Sequence, residues 1–297
     1  MFHLIRTAVL ATVLTIPTVM TAQNPFLAPY ATKYEIPPFE QISYEHYLPA
    51  VKQGIEERRA DIDAITTNPA TPTFDNTILA MEKAGNLLDR VNRVFGSLCE
   101  TDNTPEMQAL SEQILPLVSA ADDELMMNDK LFERIKYLYD NRATLGLEPY
   151  QTRAIELAYK KFVRNGALLS AEQKKALSDI NTRLTDLYLK YNKNLLASTN
   201  ATEILVSDPA QLAGIPAGIV EVAASEAKNR GYNDGAHWVF TLHAPSRLPV
   251  LRYADSRDLR KEMYQAYMNL AGREPYDNRP VIGDIVKLRA RKAALLG

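Results

Sequence analysis

The chain has 297 residues, of which 46% are hydrophobic, so it is long enough to bury one large core or two smaller ones. Its 34 basic and 36 acidic side chains leave a formal net charge of −2. Because there is no excess of positive charge to attract phosphates, this balance argues against a nucleic-acid partner and against binding to an anionic membrane.

The first 22 residues have the pattern of an export signal. Arg6 precedes the apolar run 8–16, and Pro17 and several small residues lead to a cleavage point after Ala22. The apolar run is shorter than the roughly 20 residues that span a bilayer. We therefore predict a cleaved signal over 1–22 and an exported, periplasmic protein without a membrane span, the alternative being an uncleaved anchor. The proline-rich residues 23–42 are predicted to form an extended lead-in.

Residues 43–200 are predicted to form an N-terminal helical domain, because apolar residues recur there at steps of three and four. Pro49 is expected to be tolerated only in the first turn of its helix. Ser170 and Gln173 are spaced as a capping box, and Gly166 stands where a left-handed C-terminal cap is expected. The predicted helices cover 43–67, 72–95, 104–127, 129–145, 149–165 and 170–198.

Residues 201–297 are predicted to mix helices with short strands. One strand is expected at 203–206 and another at 237–243, where apolar and polar residues alternate. Helices are expected over 216–230, 256–271 and 277–296. In the second strand His237 and His243 would share one face about 20 Å apart, too far to bind one metal ion.

Few side chains are candidates for catalysis. The chain contains no H-E-x-x-H, no G-x-S-x-G and no phosphate-binding loop. His46 is predicted to be a surface or capping residue, and His237 and His243 to point outward from a strand. The only cysteine, Cys99, cannot form an internal disulfide and is predicted to be a buried, unreactive thiol. Three clusters of like charge are predicted to be solvated helix faces: 122–124, 160–161 and 289–292. The residues themselves therefore indicate no catalytic, cofactor-binding or metal-binding position.

Five segments nevertheless resemble, in this order, the N-terminal half of the peptidyl-dipeptidase Dcp branch of the thimet oligopeptidase family. They are "PFEQISYEHYLPAVKQGIEERRADIDAI", "PTFDNTILAMEKAGNLLDRVNRVF", "LSDINTRLTDLYLKYNKNLLASTNA", "DPAQLAGIP" and "DNRPVIGDIVKLRARKAALLG". The similarity runs from about Asn24 to Gly297. It implies a mainly helical lobe of a two-lobed zinc metallopeptidase, whose lobes enclose a channel for short unstructured peptides.

In that family an H-E-x-x-H helix and a later Glu form the zinc site, and they would follow "KAALLG". The resemblance therefore implies one zinc ion with ligands outside this chain, and a channel wall truncated before the catalytic zinc helix. It implies release of C-terminal dipeptides; the alternatives are an internally cleaving oligopeptidase of the same family and a non-enzymatic exported helical binding protein. The missing catalytic half is expected to cover an apolar surface that includes Leu288, Leu295 and Leu296.

Overall fold

The computed structural model describes residues 24–297, so the predicted export signal lies outside the described residues. Of the described residues 71% are helical, which confirms a mainly helical fold. The elements are α1 (Tyr44–Thr66), α2 (Ala80–Lys83), α3 (Asn86–Thr101), α4 (Pro105–Met126), α5 (Asp129–Asn141), α6 (Pro149–Arg164), α7 (Ala171–Ala201), β1 (Glu203–Val206), α8 (Ala217–Asn229), β2 (Trp238–Thr241), α9 (Ala244–Tyr253), α10 (Arg257–Met268) and α11 (Arg279–Leu296). No helix in this part of the chain combines the length and apolar character needed to cross a bilayer.

Several predicted helix ends are present. Thr104 Oγ1 accepts a hydrogen bond from the Met107 amide at the start of α4, and Ser170 forms the predicted capping box of α7. Gly166 follows α6 with a φ of 96°. The expectation for Pro49 was wrong, because this residue lies inside α1 beyond its first turn. The neighbouring side chains of Ala50 and Val51 are fully buried, so tertiary packing offsets the hydrogen bond that the proline ring removes.

The segment predicted as one helix from 72 to 95 is broken, so that prediction was wrong. A π-helical turn, Phe74–Leu79, continues into α2, and the chain then becomes extended at Ala84 and left-handed at Gly85, with a φ of 75°. The Gly85 amide donates to Asp61 Oδ2 of α1 at 3.0 Å. A Cβ at Gly85 would meet the Arg58 side chain at 2.9 Å. The close passage of α1 therefore fixes the break, and the spacing of apolar residues does not reveal it.

Helices α1, α3 and α4 share one apolar core, and the lead-in contributes to it. Phe26 is fully buried, with its ring centroid 5.1 Å from that of Tyr47, which in turn lies 5.4 Å from Phe95. Arg90 of α3 donates to the carbonyl oxygen of Phe26. Residues 24–42 also contain two short 3₁₀ turns, so the lead-in is not extended throughout. The burial of Phe26 and its hydrogen bond with Arg90 anchor this segment to the core.

A second core lies between the C-terminal half of α1, the π-helical turn, α5 and α6. Arg134 of α5 is buried beside it and ties the turn in place. Its guanidinium donates to the Asn68 carbonyl and to Asn76 Oδ1, both at 2.9 Å, and to Thr77 Oγ1 at 3.3 Å. Burial lowers the pKa of Arg134. Neutral acceptors thus satisfy this buried cation.

Strands β1 and β2 pair antiparallel, with Glu203 opposite Thr241. The predicted strand 237–243 is shorter than expected and does not alternate, because Val239 and Phe240 are both buried, with α8 and α9 packed against β2. Helix α9, which the sequence did not predict, begins directly after His243. A core of ten buried residues joins the sheet to α8, α9 and α10.

Helix α11 packs against α7 instead of against the core of the sheet. Val281 and Ile285 of α11 are buried against three residues of α7. Leu288 and Leu295 extend the same contact and Leu296 is half-buried, whereas Ile282 and Val286 are 46% and 60% exposed. The prediction that Leu288, Leu295 and Leu296 form an exposed apolar surface was therefore wrong. Leu288 and Leu295 continue the stripe of α11 that faces α7. The division of the chain near residue 200 stays a prediction.

Candidate functional site

The three described histidines lie apart from one another and have separate contacts. His46 caps α1, its Nδ1 accepting from the Ser43 amide at 3.0 Å, as predicted. His237 precedes β2, and its Nδ1 lies 2.9 Å from Ser207 Oγ. His243 is exposed at the start of α9. The prediction that His237 and His243 lie in one strand was wrong, because β2 covers only the residues between them.

Cys99 is half-buried at the C-terminal end of α3, with its sulfur 3.4 Å from Ser111 Oγ. Burial raises the pKa of the Cys99 thiol, and the contact with Ser111 lowers it by less. Because the thiolate is the reactive form, this environment suppresses nucleophilic reactivity. The thiol is therefore protected by desolvation, although it is less buried than predicted.

Two adjoining clefts form a groove between α4 and α7, hereafter the α4–α7 groove. One cleft, of about 480 Å³, reaches the end of α3, and the other, of about 690 Å³, reaches the end of α11. Both are lined by Leu115 of α4 and by Leu189 and Asn192 of α7. Glu112 pairs with Lys193, and the Asp123 carboxylate bonds to Asn181. A later residue of α4 thus contacts an earlier residue of α7, which shows that the two helices run antiparallel.

A polar relay links three helices at the α11 end of this groove. Asn181 of α7 donates to Asp123 of α4 at 2.6 Å and accepts from Lys292 of α11 at 2.6 Å. Burial raises the pKa of Asp123, while its hydrogen bonds and the charge of Lys292 act in the opposite direction. The prediction of a solvated carboxylate was therefore wrong for Asp123. The relay joins α11 to the α4–α7 pair through a single amide.

The other charged residues in the predicted clusters lie mostly at the surface. Asp122 pairs with Arg58 at 2.9 Å, and Glu124 pairs with Arg59 at 2.8 Å. Residues 160 and 161 are exposed, as predicted. Composition and spacing alone do not distinguish Asp123 from its neighbours. The periodicity places Asp123 opposite the buried stripe of α4, which contains Ile114 and Ala121, so only the packing of α7 shows that its carboxylate is covered.

No family model matches the chain. Curated proteins do resemble it over most of its length. It is 34% identical to the dipeptidyl carboxypeptidase of Escherichia coli (strain K12), over 94% of this chain and 41% of that protein. It is 32% identical to the dipeptidyl carboxypeptidase of Salmonella typhimurium, over 92% of this chain and 40% of that protein. It is 31% identical to oligopeptidase A of Escherichia coli, over 92% and 40% respectively.

The chain belongs to the thimet oligopeptidase family. It spans about two fifths of the length of the relatives that it matches. This membership agrees with the resemblance of the five segments and with the helical architecture.

The thimet oligopeptidase family is generally zinc-dependent. Within residues 24–297 no group of three His, Cys, Asp or Glu side chains comes together in a way that could hold a metal ion. His46 Nδ1 is bonded to the Ser43 amide, and His237 Nδ1 is bonded to Ser207. Neither histidine has a second metal-binding side chain grouped with it. The side chains of the described part of the chain therefore do not fit a zinc site.

Proposed function

We propose that this chain is the helical wall of an exported zinc metallopeptidase that releases C-terminal dipeptides from short, unstructured peptides. The observation that carries the proposal is the 34% identity to a dipeptidyl carboxypeptidase over 94% of the chain. In this proposal the catalytic residues and the zinc ligands belong to the remaining part of the polypeptide. Residues 1–22 direct export and are then removed.

The contribution of the wall is selection by shape. A helix satisfies its own backbone hydrogen bonds, so packed amphipathic helices form a rigid surface with few reactive groups. Such a wall admits a flexible chain segment and keeps out a folded domain. The chain thus limits which substrates reach the catalytic site, while the chemistry takes place elsewhere in the protein.

The proposed partner of this wall is the remaining catalytic part of the polypeptide. Aromatic and apolar side chains are exposed on the helices that follow the sheet: Tyr264 at 56%, Met268 at 61% and Val286 at 60%. Arg247 of α9 stacks over Tyr267 of α10, with 3.5 Å between the guanidinium carbon and the ring centroid. Tyr, Met and Arg are enriched in protein interfaces. These residues support a contact surface in this region.

A second candidate is cleavage within peptides, which the 31% identity to oligopeptidase A favours. The two activities differ in their products. A dipeptide-releasing enzyme removes two residues at a time from the carboxyl end and needs that end free. An internally cleaving enzyme produces larger fragments and also accepts an amidated peptide.

The test is to read the coding sequence beyond Gly297 and to assay the polypeptide that it encodes. We expect an H-E-x-x-H motif downstream, and chelator-sensitive release of dipeptides from an N-terminally blocked tetrapeptide. The 297-residue chain, assayed in parallel, should neither bind zinc tightly nor cleave this peptide. A stop codon directly after Gly297 would refute the proposal, and so would chelator-sensitive cleavage by the 297-residue chain alone.

A further inference from the structure

We propose that the α4–α7 groove binds a short peptide in an extended conformation, with its amino terminus at Glu100 and its carboxylate at Arg289. This assignment rests on the proposed function, because it names a binding site for the same class of substrate. It goes beyond that function by giving the site a position, a length and a direction.

The length of the groove suits a short peptide. On α4 its lining runs from Gln108 to Asp123, and on α7 from Asn181 to Leu196. At about 1.5 Å per helical residue, each stretch is about 22 Å long. An extended chain rises about 3.3 Å per residue. The groove can therefore hold about six or seven residues.

Most charged side chains along the groove are paired, and one unpaired charge remains at each end. Glu112 pairs with Lys193 at 2.7 Å, and Asp122 pairs with Arg58 outside the cleft. Glu112, Lys193 and Asp122 of the lining are therefore neutralised by an ion-pair partner.

At the α11 end, Asp123 and Lys292 are both bonded to Asn181, so their opposite charges lie together. Arg289 is exposed there and has no hydrogen-bond or ion-pair partner among the described residues. Glu100, at the α3 end, is likewise exposed and has no such partner within residues 24–297. The net result is a groove with a negative end and a positive end. A zwitterionic peptide with free termini complements it in one direction only.

The middle of the groove can accept many side chains. Leu115, Tyr188 and Leu189 give it apolar surface, which binds side chains with little discrimination by shape. Asn192 is exposed in both clefts, and its amide makes no side-chain hydrogen bond with another described residue. A free amide can donate to a peptide carbonyl and accept from a peptide N–H. This lining favours recognition of main chain and termini over a particular sequence.

The experiment is a fluorine NMR titration of the 297-residue chain with a short fluorine-labelled peptide of Ala and Leu. The peptide is used with both termini free, with its amino end acetylated, or with its carboxyl end amidated. We expect either block to weaken binding about threefold, the scale of one exposed ion pair. Arg289→Gln should weaken binding of the free peptide by a similar factor and leave the amidated peptide unaffected. Glu100→Gln should weaken binding of the free peptide by a similar factor and leave binding of the acetylated peptide unaffected.

Matched control variants are Arg291→Gln on α11 and Glu133→Gln on α5. Both residues are exposed and neither lines the groove. The controls should bind all three peptides as the parent chain does. Equal affinity for free and blocked peptides, or no effect of Arg289→Gln and Glu100→Gln, would overturn the proposal. Absence of binding to any of the three peptides would overturn it as well.

Peptidase activity distinguishes this failure from failure of the proposed function. Dipeptide release by the longer polypeptide, without recognition of termini by the groove, would overturn only the groove assignment. Recognition of termini without any peptidase activity would refute the proposed function and leave the binding site in place.

Discussion

Replacement of Gly54 by alanine tests how closely α1 and α3 approach each other. Gly54 is buried where the two helices cross, and an added Cβ would lie 2.7 Å from the Leu88 amide nitrogen and 2.8 Å from its Cα. The obstacle is backbone, so a change of rotamer cannot remove it, and α3 must move away. Overpacking of this kind costs up to about 3 kcal/mol.

Helix propensity acts in the opposite direction in this variant. Alanine is favoured over glycine in a helix interior by about 1 kcal/mol. Gly54→Ala should therefore destabilise the protein by about 2 kcal/mol. At about 2–4 °C per kcal/mol for domains of this general size, the melting temperature should fall by about 4–8 °C.

The matched control is Gly283→Ala. Gly283 also lies within a helix, α11, but an added Cβ would meet no atom within 4 Å. Only the gain in propensity remains, so this variant should melt at a slightly higher temperature, as measured by circular dichroism. If Gly54→Ala is as stable as Gly283→Ala, then α1 and α3 are not in the close contact described.

Three further predictions concern buried polar groups. Because burial raises the pKa of Asp123 above its ordinary 3.8, its ionised form weakens the fold. Asp123→Asn should raise the melting temperature near neutral pH, with the difference shrinking as the pH falls towards about 4; a constant difference would contradict this. Asn278→Ala removes hydrogen bonds of 3.0 Å to the Tyr191 carbonyl and to Asn194. It should lower the free energy of unfolding in urea by about 1–3 kcal/mol, and an unchanged urea midpoint would contradict this. Cys99 should react with a thiol reagent more slowly in the folded than in the urea-unfolded chain, since burial raises its pKa; equal rates would exclude that protection.

The sequence by itself determined most of the local structure and the family. Helix starts such as Thr104 and Ser170, and the end at Gly166, depend on a cap within a few residues, so the local sequence is sufficient to predict them. The apolar period of α7 is likewise visible in the sequence, because Leu177, Ile180, Leu184 and Leu187 all face a core. The five family-like segments identified the thimet oligopeptidase family for the same reason, since they are contiguous stretches of chain.

Only the tertiary structure decided features that depend on residues distant in the sequence. The break at Gly85 follows from Asp61 and Arg58 on the crossing helix. The burial of Asp123 depends on Asn181, which lies 58 residues away. The α4–α7 groove and its unequal ends likewise arise where separate helices meet. A hydrophobic period reports which side of one helix is apolar, but the partner that covers this side, and the polar groups enclosed with it, are set by packing between elements.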